Sequence, residues 1–158
     1  LGVLRDGVLL RYIRQDCLDA PVFYDSLDPQ VALLKLIPGT DWTAADFLLE
    51  RNDALIIESF GVGGLPEAGG FYECVRRWME AGKTVVLTTQ VASEGSDLGV
   101  YHVGYRLKSD LGVLEAYDMT TEAVVAKLMW ILGQTRQREA VERLFYTPVA
   151  RDILWPDV

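Results

Sequence analysis

The sequence predicts an α/β domain, a three-layer α/β/α sandwich around a mainly parallel, Rossmann- or flavodoxin-like sheet. Three observations carry this expectation. Short apolar runs alternate with stretches of helical periodicity, which implies right-handed βαβ units. The runs Ala54-Leu55-Ile56-Ile57 and Thr84-Val85-Val86-Leu87-Thr88-Thr89 are apolar without strand-like alternation, as strands buried on both faces are. Gly- and Pro-containing turns separate the runs.

The elements follow in order. Val8 to Ile13 reads as a first strand or edge ribbon, and Asp25 to Pro29 is rich in turn residues. Val31 to Ile37 reads as a strand stopped by Pro38-Gly39. Thr43, with Asp46 three residues on, reads as the N-cap of a short helix over Ala44 to Glu50. After the strand at 54–57 comes the loop Gly61 to Pro66, then a helix over about Gly69 to Ala81. Phe71, Val75, Trp78 and Met79 share one face of that helix, and Gly82 ends it. The β-branched run 84–89 is the next strand. The Gly-rich stretch 91–100 is loop, Tyr101 to Leu111 a short helix, and Gly112 to Ala116 a weak last strand. Thr120 caps a helix that ends near Gly133 and is apolar almost all round, so cover is expected on both sides. Thr135 is expected to cap a final amphipathic helix that buries Ala140, Val141, Leu144 and Phe145.

Composition narrows the function. The chain has 158 residues, 50% of them apolar and 24% charged, which is the make-up of a single globular domain and not of a disordered chain. Fifteen Lys and Arg against 23 Asp and Glu leave a net charge of −8. With no basic stripe, that charge argues against nucleic acid as a partner. No apolar run approaches the roughly 20 residues that cross a bilayer, so no membrane partner is expected. Cys17 and Cys74 form no CxxC pair, so a reducing cytoplasm is expected rather than a disulfide scaffold. One histidine, His102, and two scattered cysteines make no zinc set. The chain begins with Leu rather than Met, and a piece of a longer protein is expected.

In an open parallel sheet, ligands bind beyond the carboxyl ends of the strands. Those ends read Pro38-Gly39-Thr40-Asp41, Glu58-Ser59-Phe60-Gly61 and Thr88-Thr89-Gln90. Carboxylate, hydroxyl and amide groups therefore collect at one rim. Two readings stand side by side: a ligand site, or polar residues that begin wherever a buried strand leaves the core. Gly61-Val62-Gly63-Gly64-Leu65-Pro66 sits between strand and helix like a dinucleotide loop. Pro66, however, replaces the third glycine, and no acid follows at the expected spacing. Gly39-Thr40-Asp41 sets a hydroxyl beside a carboxylate, which is also ordinary turn chemistry. Tyr101 and Trp130 read most simply as core or rim aromatics.

The stretch Ala54 to Pro66 resembles the signature that opens the second half of the C-terminal domain of bacterial and archaeal L-asparaginases. More segments follow in the family's order: Gly82-Lys83-Thr84-Val85-Val86, Thr88-Thr89-Gln90-Val91, Glu94 to Leu98 with Val100 to Gly104, and Asp118 to Ala123 with Lys127 to Trp130. Val31 to Gly39 is similar to the first strand of that domain. The likeness spans nearly the whole chain and leans to the type I, cytoplasmic-type branch.

The resemblance implies hydrolysis of L-asparagine to L-aspartate and ammonia, with no metal and no cofactor. It implies an enzyme of two α/β domains. The nucleophilic threonine, in a Thr-Gly-Gly-Thr segment, and its Thr-Asp and lysine partners belong to the N-terminal domain. None of these is found here. Residues 1–24 then read as a linker and edge segment from that missing domain, and 25–158 as the C-terminal domain. The implied partners are L-asparagine, the chain's own N-terminal domain, and further copies in a homodimer or homotetramer. Within the dimer, the loops Gly61–Pro66 and Ser93–Gly104 would complete a neighbouring subunit's site. Gly63 and Gly64 would offer backbone to the substrate there, with Tyr101 and His102 at the edge. Two departures stand out: Gly64 where many relatives carry Asn, and His102 where archaeal relatives tend to carry an acid. Some members bind asparagine as an effector near the strand ends, which here maps to Glu58, Ser59, Thr89 and Gln90, with Glu58 and Val91 replacing expected residues. The alternatives are the related Glu-tRNA(Gln) amidotransferase subunit, a stand-alone amino-acid effector-binding module, and, third, a dinucleotide enzyme.

Overall fold

The computed structural model describes residues 2–5, 7–11, 20, 22–67, 69–91 and 94–154. Tyr12 and Ile13 of the expected first strand, Cys17 and Ser93 lie outside these residues. The chain opens with an antiparallel ribbon, β1 (Gly2–Arg5) and β2 (Val8–Arg11), in which Arg5 pairs with Val8. The sequence reading had only the second of these strands. A two-residue connection containing Gly7, at φ +78, closes the ribbon, because a hairpin this tight needs a left-handed backbone.

The main sheet is four-stranded and parallel: β3 (Val31–Lys35), β4 (Ala54–Ser59), β5 (Thr84–Thr89) and β6 (Leu114–Glu115). Its strands lie side by side in chain order, with Ala54 opposite both Val31 and Thr84. Right-handed crossovers that always step the same way keep their helices on one face. Accordingly α1 (Trp42–Arg51), α2 (Phe71–Glu80) and α3 (His102–Leu111) pack on Leu55, Ile57, Val85 and Leu87. After β6 the chain crosses over, and α4 (Thr121–Gln134) and α5 (Arg138–Tyr146) cover Ala54, Ile56 and Val86. This is the expected α/β/α sandwich. Alternate residues of one strand feed opposite cores, which is why β4 runs Ala-Leu-Ile-Ile and β5 Val-Val-Leu without a break before their polar ends.

The helix boundaries show where local signals compete. Asp41, not Thr43, caps α1: its carboxylate accepts the Thr43 N–H at 3.0 Å, so the helix begins at Trp42. Two cap-competent residues stand two apart, and the upstream one is in the extended conformation that a cap requires. Thr120 caps α4 as expected, accepting the Ala123 N–H at 3.2 Å. Thr135 ends α4 instead of capping α5, although its hydroxyl does accept the Gln137 N–H at 3.1 Å. The weak last strand shrinks to Leu114–Glu115 because β5 pairs with only two of its residues.

The inner face of α4 is buried, and the segment 22–30 crosses part of its outer face. Tyr24 meets Trp130 edge-on at 5.2 Å, the Asp28 N–H reaches the Met129 carbonyl at 2.9 Å, and Gln134 donates to the Ser26 carbonyl at 2.9 Å. Lys127, inside the apolar helix, is buried with its charge answered: Nζ lies 2.7 Å from Asp152 and 2.9 Å from the Thr147 carbonyl. Between α1 and α2, the indole N–H of Trp78 donates to Asp46 at 2.6 Å. That bond holds the Asp46 carboxyl below the usual carboxylate range, against the opposing effect of burial and with help from Arg77.

Two outcomes follow for stability. Gly133 lies in α4 where an added Cβ would collide with the Ser26 carbonyl. Helix propensity alone favours Gly133→Ala by about 1 kcal/mol. The clash reverses the sign, and chemical denaturation should show the variant less stable by about 1–2 kcal/mol. Asp53 is held low by its bond from Arg136, opposed by burial and assisted by Lys83. A lowered folded pKa contributes stability above the unfolded value of about 3.9, and that contribution fades as pH falls through the folded value. Asp53→Asn should therefore melt at a lower temperature than wild type at pH 7, with the gap closing as pH falls below the ordinary carboxylate range and through the lowered folded value.

Candidate functional site

The carboxyl ends of β3, β4 and β5 form a rim whose polar groups finish the sheet. Gln90 donates through Nε2 to the Leu36 carbonyl at 2.8 Å and the Glu58 carbonyl at 3.0 Å, tying three strand ends together. Ser59 is fully buried and donates to the Thr88 carbonyl at 2.7 Å. The Thr89 hydroxyl donates to the Gly61 carbonyl and accepts the Val91 N–H at 3.0 Å. These groups satisfy backbone that leaves the sheet.

Glu58, Thr89 and Gln90 do line a cleft of about 250 Å³, closed on the far side by Asp118 to Glu122. Ser59, whose hydroxyl is engaged on the Thr88 carbonyl, does not line it. Glu58 points at the start of α4: its carboxylate accepts the Thr121 hydroxyl at 2.8 Å and stands 3.5 Å from Lys35 Nζ. A carboxylate there suits the positive end of the helix dipole. The cleft therefore holds an internal anion whose partners are already in place.

Beyond β4 the chain folds into a tight loop. The Phe60 N–H donates to the Gly64 carbonyl at 2.9 Å, and the Gly64 N–H returns to the Phe60 carbonyl at 2.6 Å. The second loop, after β5, leans on the first. The Asp97 N–H donates to the Val62 carbonyl at 2.6 Å, and a Cβ on Gly63 would stand 2.6 Å from the Asp97 carbonyl oxygen. Gly63 is accordingly buried, its absent side chain occupied by neighbouring backbone. Gly64 is half-buried. Tyr101 and His102 stand at the far end of the second loop, where Tyr101 holds the N-cap position of α3 and His102 is its first residue. Both are exposed, Tyr101 by 48%. The fold thus joins the two glycine-bearing loops into one unit with a Tyr-His pair at its tip. Gly63 and Gly64 stay within the unit, and the two polar side chains face outward.

The sequence reading missed the group that supports this unit. Glu115 on β6 is 1% exposed. Its Oε1 accepts the Leu98 N–H of the second loop at 2.8 Å, and Oε2 pairs with Lys108 Nζ of α3 at 2.7 Å. Lys108 also donates to the Tyr117 hydroxyl. Burial pushes against the Lys108 charge, yet the bonds to Glu115 and Tyr117 outweigh it and raise its pKa. Tyr146, whose hydroxyl accepts the Glu115 N–H at 3.0 Å, is pushed up to about 12 by burial. A single acid inside the apolar run Gly112 to Ala116 was the signal available in the sequence.

Among the described residues, no group of three or more His, Cys, Asp or Glu is placed to hold a metal ion. No helix among them is long and apolar enough to cross a membrane.

Comparison with known proteins places the chain in a family. A family model described as Glutaminase/Asparaginase C-terminal domain matches residues 30–145. An L-asparaginase from Thermococcus kodakarensis is 36% identical over 149 residues, covering 94% of this chain and 45% of that protein. A subunit of the glutamyl-tRNA(Gln) amidotransferase from Pyrococcus abyssi is 33% identical over 130 residues, covering 82% of this chain and 29% of that protein. Among solved structures, the thermostable L-asparaginase from Thermococcus kodakarensis superposes with a TM-score of 0.84 at 32% identity, over 98% of this chain and 47% of that one. L-asparaginase I from Vibrio cholerae gives 0.71 at 28% identity, over 80% and 38%. The chain spans less than half the length of these relatives. The segments that carry the resemblance, the parallel sandwich and these matches agree: the chain belongs to the glutaminase/asparaginase C-terminal domain family.

Proposed function

We propose that this chain is the C-terminal domain, over residues 25–158, of a cytoplasmic amidohydrolase that converts L-asparagine to L-aspartate and ammonia. Residues 1–24 link it to an N-terminal domain that holds the nucleophilic threonine. Attack on an amide needs an activated nucleophile, a proton relay and an oxyanion hole in fixed geometry. This domain's part is to dimerise and to close a neighbouring subunit's site with its two loops. The observation that carries the reading is the joined loop unit at the strand-end rim, which presents Tyr101 and His102 outward at its tip. Gly63 and Gly64 shape the unit's backbone toward the substrate. Glu58, Thr89 and Gln90 form a second, effector cleft in this reading. Its ligand has to compete with the bonds that Glu58 already makes to Thr121 and Lys35.

A second reading is supported by the relatives that are glutamyl-tRNA(Gln) amidotransferase subunits, which reach 36% identity over 85% of this chain in the protein from Thermofilum pendens. Free asparagine separates the two. Steady hydrolysis by the protein as it occurs supports the asparaginase. Ammonia release seen only with a glutamyl-tRNA partner supports the amidotransferase.

Two outcomes check the proposal. Ammonia assays on the isolated 158-residue chain should show no turnover of asparagine, and persistent turnover after purification to homogeneity contradicts the missing-nucleophile reading. In the protein as it occurs, His102→Ala and Tyr101→Phe should each change KM or kcat for asparagine by about tenfold, the weight of one hydrogen bond to substrate. Kinetics unchanged in both variants would leave the tip with a purely structural role.

A further inference from the structure

The geometry points to Glu115 as a positioning residue: its buried carboxylate presets the second loop, and with it the tip that carries Tyr101 and His102. This rests on the proposed role of that tip at a neighbouring subunit's site. The N–H groups of five successive residues are engaged: Ser96 on the Tyr117 carbonyl at 2.8 Å, Asp97 on Val62 at 2.6 Å, Leu98 on Glu115 at 2.8 Å, Gly99 on the Asp97 carboxylate at 2.9 Å, and Val100 on the Asp97 carbonyl at 3.4 Å. A loop of that kind is a fixed strap and not a lid.

Four of these bonds end on backbone or on the loop's own side chain. Only the bond from Leu98 ends on a side chain from another element. Leu98 itself is fully buried, and α3 lies so close over it that a Cβ on Gly104 would stand 2.7 Å from its carbonyl oxygen. The same carboxylate grips Lys108, nearly two turns along α3 from His102. Glu115 therefore holds both ends of the corner on which the tip is built, the loop entering it and the helix leaving it. Charge-assisted bonds to a buried carboxylate are stronger than neutral ones, and their loss frees both ends together.

The test uses the protein as it occurs, with Glu115→Ala and Glu115→Gln. The amide oxygen of Gln still accepts from Leu98 but cannot pair with the Lys108 charge, so it acts as the partial rescue and as the milder variant should Ala fold poorly. Hydrogen exchange at residues 96–100 should accelerate by about tenfold or more in Ala and less in Gln, while β4 and β5 keep their protection. In parallel, kcat/KM for asparagine should fall by about tenfold in Ala, mainly through KM, with Gln between Ala and wild type. Unchanged exchange at 96–100 in the Ala variant overturns the inference. Faster exchange with unchanged KM overturns the link from Glu115 to the substrate. A wild-type protein inert toward asparagine overturns the proposed function instead, and the exchange result then decides alone whether Glu115 holds the loop.

Discussion

Burial of the two central strands, β4 and β5, on both faces governs this domain. Leu55, Ile57, Val85 and Leu87 face one core, and Ala54, Ile56 and Val86 face the other, all without exposure. Strands so enclosed cannot carry chemistry along their length. Every polar group that the sheet positions has to sit at an end, and at the carboxyl end it must first satisfy the backbone that departs there. Ser59, Thr89 and Gln90 are occupied in this way. The groups left to face outward are those on the loops beyond, which is where Tyr101 and His102 stand.

Two buried charges complete the frame, one in each half of the sandwich. Lys127 joins α4 to the chain after α5 through Asp152 and Thr147, and Glu115 joins β6 to α3 and to the second loop. Each is fully partnered, as a charge in a low-dielectric interior must be. Neither pair adds much over a well-packed apolar substitute, because desolvation offsets most of the attraction. What such pairs supply is register, since a carboxylate with two directional bonds fixes where two elements meet.

Much of this was legible in the sequence for a physical reason. The strand over Thr84–Thr89 and the helix containing Phe71, Val75 and Trp78 announce themselves because burial imposes a period on local residues. The rim could be located once the strand ends were known. Asp41 was missed as a cap because Thr43 offers the same chemistry two residues later. The loop-to-loop contact of Gly63 with Asp97 was invisible because it joins backbone to backbone across distant positions, and no side-chain pattern marks it. Glu115 showed its charge in an apolar run, but its partners, Leu98 and Lys108, are brought together only by the tertiary fold.

The contact at Gly63 also shapes how this domain can change over evolutionary time. Its opposing surface is main chain, so no exchange of side chain at residue 97 makes room for a larger residue at 63. Paired substitutions, the usual route by which packed positions drift together, are closed here. Accommodation requires moving the opposing segment as a whole, by an insertion or deletion between β5 and α3. Variation at this corner should therefore be recorded in loop length rather than in residue type.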